Sequence, residues 1–213
     1  LRESDAAARE RLRRVLPKAG PDVGLREVQH ALALEHGLAG WTALRDALTD
    51  RALAKRSGGE RAEDFLRNAV DRHGGQLAAH ILRKHPDVAR FSVHTAAVCG
   101  DLAEVERRLA TDGAAASAAG GPKNWQPLQY LCYARLPLAE ASEQAIAIAR
   151  VLLDAGADPN ASWNDGWDNP FKLLTGVIGD GEERHAPHPR AAELAEILIE
   201  HGADPYDTQA LDR

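Results

Sequence analysis

The sequence predicts an all-α fold in which short helix pairs stack into a solenoid, and three observations lead to this prediction. Hydrophobic residues make up 44% of the 213 residues and aromatic residues only 5%, so the core has to be aliphatic. Ala and Leu favour helices, and the chain lacks a long alternating segment of Val, Ile and Thr that would predict a sheet. The third observation is a helix ending that occurs twice in the second half of the chain.

The repeated ending comprises residues 152–160 (LLDAGADPN) and 198–206 (LIEHGADPY), which share the frame L-[LI]-[DE]-x-G-A-D-P. In each copy an aliphatic helix stops at a glycine and is followed by a proline that cannot continue it. We therefore expect Gly156 and Gly202 to adopt positive φ angles.

This frame resembles the end of the second helix in ankyrin repeats. Residues 91–97 (FSVHTAA) resemble the motif that opens the first helix of such a repeat, and residues 126–129 (QPLQ) and 169–172 (NPFK) keep parts of it. A degenerate unit at 64–70, followed by a second helix at 76–84, resembles a further repeat. The resemblance covers about residues 62–207 and implies an ankyrin-type solenoid of about four irregular repeats that binds proteins.

The spacing of these units predicts two insertions. The third and fourth units are long between their helices, with the extra residues at 136–142 and 180–190. Both insertions fall at the same inter-helix turn, so stacking would place them side by side on one edge of the solenoid.

The N-terminal residues are predicted to be helical at 3–16 and at 25–54, with a turn at 37–41. This region resembles a helical segment found beside bacterial ankyrin repeats, which implies a cap over the end of the stack. The predicted organisation is a cap segment at 1–59 and a repeat domain at 60–213, joined by a short hinge at 57–59.

The predicted core is aliphatic and continuous across the repeats. Its expected buried members are Leu66, Ala69, Val93, Ala97, Leu109, Leu128, Leu131, Val151, Leu152, Leu174, Ile197 and Leu198.

Charge and cysteine usage exclude several functions. Residues 1–90 hold 17 Lys and Arg against 13 Asp and Glu, whereas residues 91–213 hold 9 against 19, a net charge of −10. An acidic half repels nucleic acid and anionic membranes and favours a basic or neutral partner. Two cysteines cannot form a disulfide framework, which predicts a reducing, cytoplasmic location, and no apolar run approaches the roughly 20 residues of a membrane helix.

The histidines, cysteines and glycines of the sequence form no catalytic or metal-binding motif, so a non-enzymatic protein without a metal or cofactor is predicted. His185 and His188 are the only close histidine pair, but they flank a proline and have no nearby cysteine. His94 is expected to tie loops together by hydrogen bonding, and Cys99 and Cys132 are expected to be buried and inert. Residues 118–123 are glycine-rich but follow a helix, which predicts a hairpin rather than a phosphate loop.

The tryptophans indicate where a partner would bind. Three of them lie in or beside the predicted hairpins between repeats, next to acidic and amide side chains, a combination that suits a partner with an Arg or Lys near an apolar patch. The predicted contact set is Trp125, Trp163, Asn164, Asp165, Trp167 and Asp168. The alternative for Trp125 and Trp167 is that they pack against the neighbouring hairpin.

Two other functions remain open from the sequence. One is a small-molecule binder or enzyme with a pocket between the groove and the insertions, using His185, His188 or Asp168. The other is nucleic-acid binding through a helix-turn-helix at 25–48, which has only Arg45 and Arg51 as basic contacts and is therefore disfavoured.

Overall fold

The computed structural model of the chain describes residues 5–18, 20, 22–73, 75–164, 170–179 and 186–206. These residues are mostly helical, and the only strands among them form one antiparallel pair of two residues each, so the all-α class is confirmed. Contacts divide the chain into two compact units, Leu1–Lys55 and Arg56–Arg213. Among the described residues, every helix is too short or too polar to cross a membrane.

In the described part of the first unit, the helices are α1 (Asp5–Val15), α2 (Leu25–Glu35) and α3 (Trp41–Leu53). The α2 helix packs against both α1 and α3. Gly37 has a φ of 72°, a left-handed conformation that lets the chain leave α2 and turn toward α3. The predicted break within 25–54 is therefore present at the predicted turn.

The second unit contains eight helices among the described residues, two short 3₁₀ helices (Pro86–Arg90 and Gly113–Ala116) and the strand pair. The helices are α4 (Gly58–Ala69), α5 (Gly75–Lys84), α6 (Val93–Cys99), α7 (Leu102–Thr111), α8 (Pro127–Tyr133), α9 (Ala139–Asp154), α10 (Leu173–Ile178) and α11 (Ala191–Glu200). The strands are β1 (Ser162–Trp163) and β2 (Phe171–Lys172).

These helices pack as consecutive pairs. The α4 helix packs on α5, α6 on α7, α8 on α9, and α10 on α11. The first helices of the pairs also contact one another in order, from α4 through α6 and α8 to α10, and α7 contacts α9, which contacts α11. The second unit is therefore a stack of helix pairs with two helical layers.

The hinge predicted at 57–59 is wrong, because α4 begins there. Ser57 is the N-cap of α4: its hydroxyl accepts a hydrogen bond from the backbone N of Glu60 at 3.2 Å, and the Glu60 carboxylate accepts one from the backbone N of Ser57 at 2.8 Å. This capping box satisfies two backbone donors, so Gly58 and Gly59 join the first turn of the helix despite their low helix propensity.

The insertion predicted at 136–142 is only partly a loop. The chain leaves α8 at Ala134 in an extended conformation, and α9 begins at Ala139, so the second half of the predicted insertion lengthens α9 to 16 residues. Ala and Glu favour helix, and no residue after Pro137 breaks it. Of the second insertion, residues 180–185 lie outside the described residues.

The aliphatic core is confirmed at ten of the twelve predicted positions, with Leu109 and Val151 only half-buried. Val151 precedes the fully buried Leu152 and lies about 100° around α9 from it, at the edge of the packed face. Leu109 lies in the last turn of α7, where that face ends.

Both predicted helix-ending glycines are confirmed. Gly156 has a φ of 94° and Gly202 a φ of 92°. In each case the residue after the glycine donates its backbone N–H back into the last turn: Ala157 to the carbonyl of Leu152, and Ala203 to that of Leu198, both at 2.9 Å. These bonds close the helix ends and direct the following loops in the same way.

Candidate functional site

The loop between α7 and α8 forms a tight hairpin at 120–125. Gly120 and Trp125 exchange two backbone hydrogen bonds, at 2.9 and 3.1 Å. The hairpin predicted for 118–123 is therefore present, displaced by two residues. Gly121 has a φ of 66° and Asn124 a φ of 55°, which lets the chain reverse within a few residues.

Two buried side chains hold this hairpin in place. The Tyr130 hydroxyl donates to the Gly120 carbonyl at 3.0 Å and accepts from the Lys123 backbone N at 2.9 Å. His94 Nε2 lies 3.0 Å from the carbonyl oxygen of Ala118, at hydrogen-bond distance. Burial lowers the pKa of His94, so the ring is neutral at pH 7 and its Nε2–H is free to donate to that carbonyl. The expected loop-tying contact of His94 is therefore present.

A second hairpin is built by β1 and β2 between α9 and α10. Trp163 pairs with Phe171, and Ser162 with Lys172. The Tyr133 hydroxyl, from α8, donates to the Lys172 carbonyl at 2.7 Å. Each hairpin is thus anchored by a tyrosine of the same helix, which fixes the two hairpins relative to one another.

An aromatic cluster of Trp125, Tyr130, Tyr133, Trp163 and Phe171 joins the two hairpins. The Trp125 ring centroid lies 5.4 Å from that of Tyr130, 5.1 Å from that of Tyr133 and 5.5 Å from that of Trp163. Trp163 stacks on Phe171 at 4.6 Å with an interplanar angle of 15°. Such contacts stabilise by more than area burial alone, so the cluster is a rigid feature of this side of the stack.

The two tryptophans of the cluster differ in exposure. Trp125 is 5% exposed, which favours the packing interpretation for this residue. Trp163 is half-buried, so part of its indole faces solvent, while its Nε1 is buried and has no acceptor among the described residues. Trp163 is therefore the most exposed side chain of the aromatic cluster.

A cation lies over this pair of indoles. The Lys123 ammonium is 5.1 Å from the ring centroid of Trp125 and 5.1 Å from that of Trp163. A distance under about 6 Å is within the range of a cation–π interaction. Lys123 itself is exposed and lies at the tip of the 120–125 hairpin.

Side-chain amides connect the loops of successive helix pairs. Asn160 donates through Nδ2 to the Gly202 carbonyl at 2.9 Å and accepts at Oδ1 from the Asp204 backbone N at 2.8 Å. Gln126 accepts at Oε1 from the Asp158 backbone N at 3.1 Å. These hydrogen bonds hold the loops of successive helix pairs against one another, so the surface on this edge is continuous from one pair to the next.

The remaining members of the predicted contact set are only partly placed. Asn164 is exposed and follows β1 directly. Asp165, Trp167 and Asp168 lie outside the described residues. The predicted contact set did not include Lys123, Tyr133 and Phe171, which the structure places in or beside the aromatic cluster. The one sequence feature that could have predicted a cation near the indoles is the position of Lys123 two residues before Trp125, beside a predicted hairpin.

A cavity lies beside the predicted insertions, among residues that the structure describes. Its volume is about 10 Å³, and its lining includes Leu131, Leu136, Ser142 and His188. Ligand pockets have volumes of several hundred Å³, so this cavity accommodates one water at most. The described residues also hold no group of three or more His, Cys, Asp or Glu that could bind a metal.

The two cysteine thiols lack the electrostatic environment of reactive cysteines. Cys132 is buried and Cys99 is half-buried rather than fully buried as predicted, since it lies at the end of α6. Burial raises the pKa of each thiol to about 12. Both are protonated at neutral pH, and the thiolate is the nucleophilic form.

The pKa of His188 predicts acid sensitivity. Burial, and then the positive charges of Arg135 and Arg190, lower this pKa to about 4. Its value in the unfolded chain is about 6.5, so the unfolded state takes up a proton first and stability is lost as the pH falls from about 6.5 toward 4. We expect the His188 contribution to the free energy of unfolding to fall by about 2 kcal/mol between pH 7 and pH 4.5.

Urea unfolding of the wild type and of His188→Gln at both pH values measures this effect. The variant should lose less stability on acidification than the wild type. His201 is the control, because hydrogen bonds to the Ile197 carbonyl and Asp154 raise its pKa, so His201→Gln should lose slightly more. Equal acid losses in the wild type and His188→Gln would show that His188 is not held neutral by the fold.

Comparison of the chain with protein-family models, with curated proteins and with solved structures finds no match.

Proposed function

We propose that residues 60–213 form an ankyrin-type solenoid and that the protein is a non-enzymatic, cytoplasmic protein-binding module. The packing of helices in consecutive pairs supports this proposal, as do the two hairpins that connect successive pairs. The helix-ending glycines at Gly156 and Gly202 follow the repeated frame that carries the ankyrin resemblance.

The proposed binding role depends on a single observation, the aromatic cluster with its half-exposed Trp163. A rigid indole supplies a large contact area at small entropic cost, which is why tryptophan dominates many interfaces. Trp163 is held by Phe171 on one side and by Trp125 and Tyr133 within the cluster, so its orientation is fixed before a partner arrives. Preorganisation of this kind raises affinity by lowering the cost of ordering.

The charge of the chain supports a partner with basic groups around an apolar patch. Residues 91–213 carry a net charge of −10, and the exposed Asp158 lies on the same edge as the hairpins. Complementary charge raises the association rate and orients the partner.

The test starts with affinity capture from an extract of the source organism, followed by identification and purification of the captured protein. Trp163→Ala is expected to weaken binding of that purified partner by more than 1 kcal/mol in a calorimetric titration, because it removes the aromatic anchor. Because Trp163 also packs on Phe171, circular dichroism should establish that the variant is folded at the temperature used.

Trp41→Ala is the matched control for this titration. Trp41 lies in the other compact unit and is 39% exposed, so its loss should leave the affinity unchanged. A partner that binds Trp163→Ala as tightly as the wild type, or that is lost on Trp41→Ala, would overturn the proposed contact surface.

A further inference from the structure

We propose that Trp125 and Trp163 form a cation-binding site that Lys123 occupies in the free protein, and that an Arg or Lys side chain of the partner displaces Lys123 on binding. This inference rests on the proposed function, because it assigns the ligand chemistry of the same surface. It depends on three features: the position of the ammonium, the freedom of its side chain and the rigidity of the rings.

The ammonium of Lys123 is equally distant from the two indoles, at 5.1 Å from each centroid. Tryptophan is the aromatic side chain that binds cations best, and two such rings around one charge strengthen the attraction. The space over the two rings is therefore suited to a positive group, and the Lys123 ammonium already occupies it.

The Lys123 side chain is free to leave this position. The residue is exposed, and its ammonium forms no ion pair with a described carboxylate. The hydrogen bond of Lys123 to the Tyr130 hydroxyl is made by the backbone N, so rotation of the side chain into solvent leaves the hairpin intact. Lys123 therefore competes with an incoming cation without being required for the fold.

The rings stay in place when Lys123 leaves. Trp125 is buried against Tyr130 and Tyr133, and Trp163 is stacked on Phe171. A vacated site of fixed rings binds a new cation without further ordering. A guanidinium is well suited to it, because this planar and weakly hydrated cation also stacks on aromatic faces.

The test uses N-acetyl-arginine amide as the probe and N-acetyl-citrulline amide as its neutral counterpart of nearly the same shape. Binding is followed by the indole N–H resonances of Trp125 and Trp163 in two-dimensional NMR spectra, assigned from Trp→Phe variants. The charged probe should shift both resonances saturably, and the neutral probe should not.

Removal of the internal competitor is the decisive step. Lys123→Met should tighten binding of N-acetyl-arginine amide by roughly two- to fivefold, the range expected for losing an exposed cation–π competitor. Lys84→Met, at an exposed position in the last turn of α5, changes the net charge equally and should have no effect.

Equal responses to the two probes would overturn the cation site, and so would an unchanged or weaker affinity in Lys123→Met. If this happens while Trp163→Ala still weakens binding of the identified partner, the proposed function stands and only the exchange of Lys123 is wrong. If the probe binds as expected but the partner ignores Trp163→Ala, the cation site stands and the proposed contact surface is wrong.

Discussion

Replacing Leu198 by alanine is expected to lower the free energy of unfolding by about 2 to 5 kcal/mol. Leu198 is fully buried in α11, where it packs in the layer shared with α9. The truncation removes apolar contacts and leaves a cavity, because α9 and α10, the helices that pack on α11, can close only part of the gap. Leu152→Ala in α9 should have a similar cost, since Leu152 is also fully buried.

Ile199→Ala is the matched control for Leu198→Ala. It removes the same number of carbon atoms from the next position of the same helix, but Ile199 is 47% exposed. Denaturant unfolding should therefore show a much smaller loss for Ile199→Ala. Losses below half a kilocalorie per mole at both Leu152 and Leu198 would mean that α9 and α11 do not bury the faces that carry these two residues.

Replacing Gly100 by alanine is expected to lower the free energy of unfolding by about 3 kcal/mol, for two separate reasons. Gly100 ends α6 with a φ of 78°, a conformation that strains any residue with a Cβ. An added Cβ would also lie 2.8 Å from the Cα of Ala141 and 2.8 Å from the carbonyl oxygen of Glu140. Both of these are backbone atoms in the first turn of α9, so they cannot move aside as a flexible side chain could.

Gly156→Ala separates the two causes. Gly156 has a φ of 94°, so the conformational strain is comparable, but an added Cβ there meets no atom within 4 Å. This variant should cost about 1 kcal/mol, the strain alone. Unfolding free energies that fall equally in both variants would contradict the close approach of the end of α6 to the start of α9.

The sequence predicted the parts of the fold that depend on local chemistry. The frame around Gly156 and Gly202 predicted both helix ends, because a glycine in a left-handed conformation followed by proline leaves the chain few alternatives. The capping box at Ser57 and Glu60 was equally readable as S-x-x-E, yet the two glycines between them favoured a hinge. A local hydrogen-bond pair outweighed helix propensity at that point.

The candidate site depended on contacts that no local pattern contains. Trp125 and Trp163 both belong to predicted hairpins, and the packing alternative stated for Trp125 agrees with its burial, but the sequence contains no pattern that explains why the two residues differ in exposure. The difference arises because Trp125 is enclosed by Tyr130 and Tyr133 of α8, whereas Trp163 lies on a strand with its stacking partner Phe171 beside it. The cation of Lys123 over both rings follows from the same long-range arrangement.

Hydrogen–deuterium exchange of the protein with and without its purified partner tests the central claim most directly. If the hairpin surface binds the partner, amides of residues 118–125 and 160–164 should gain protection in the complex, while those of α2 and α3 should exchange as in the free protein. Protection confined to α2 and α3, with both hairpins unchanged, would contradict the account.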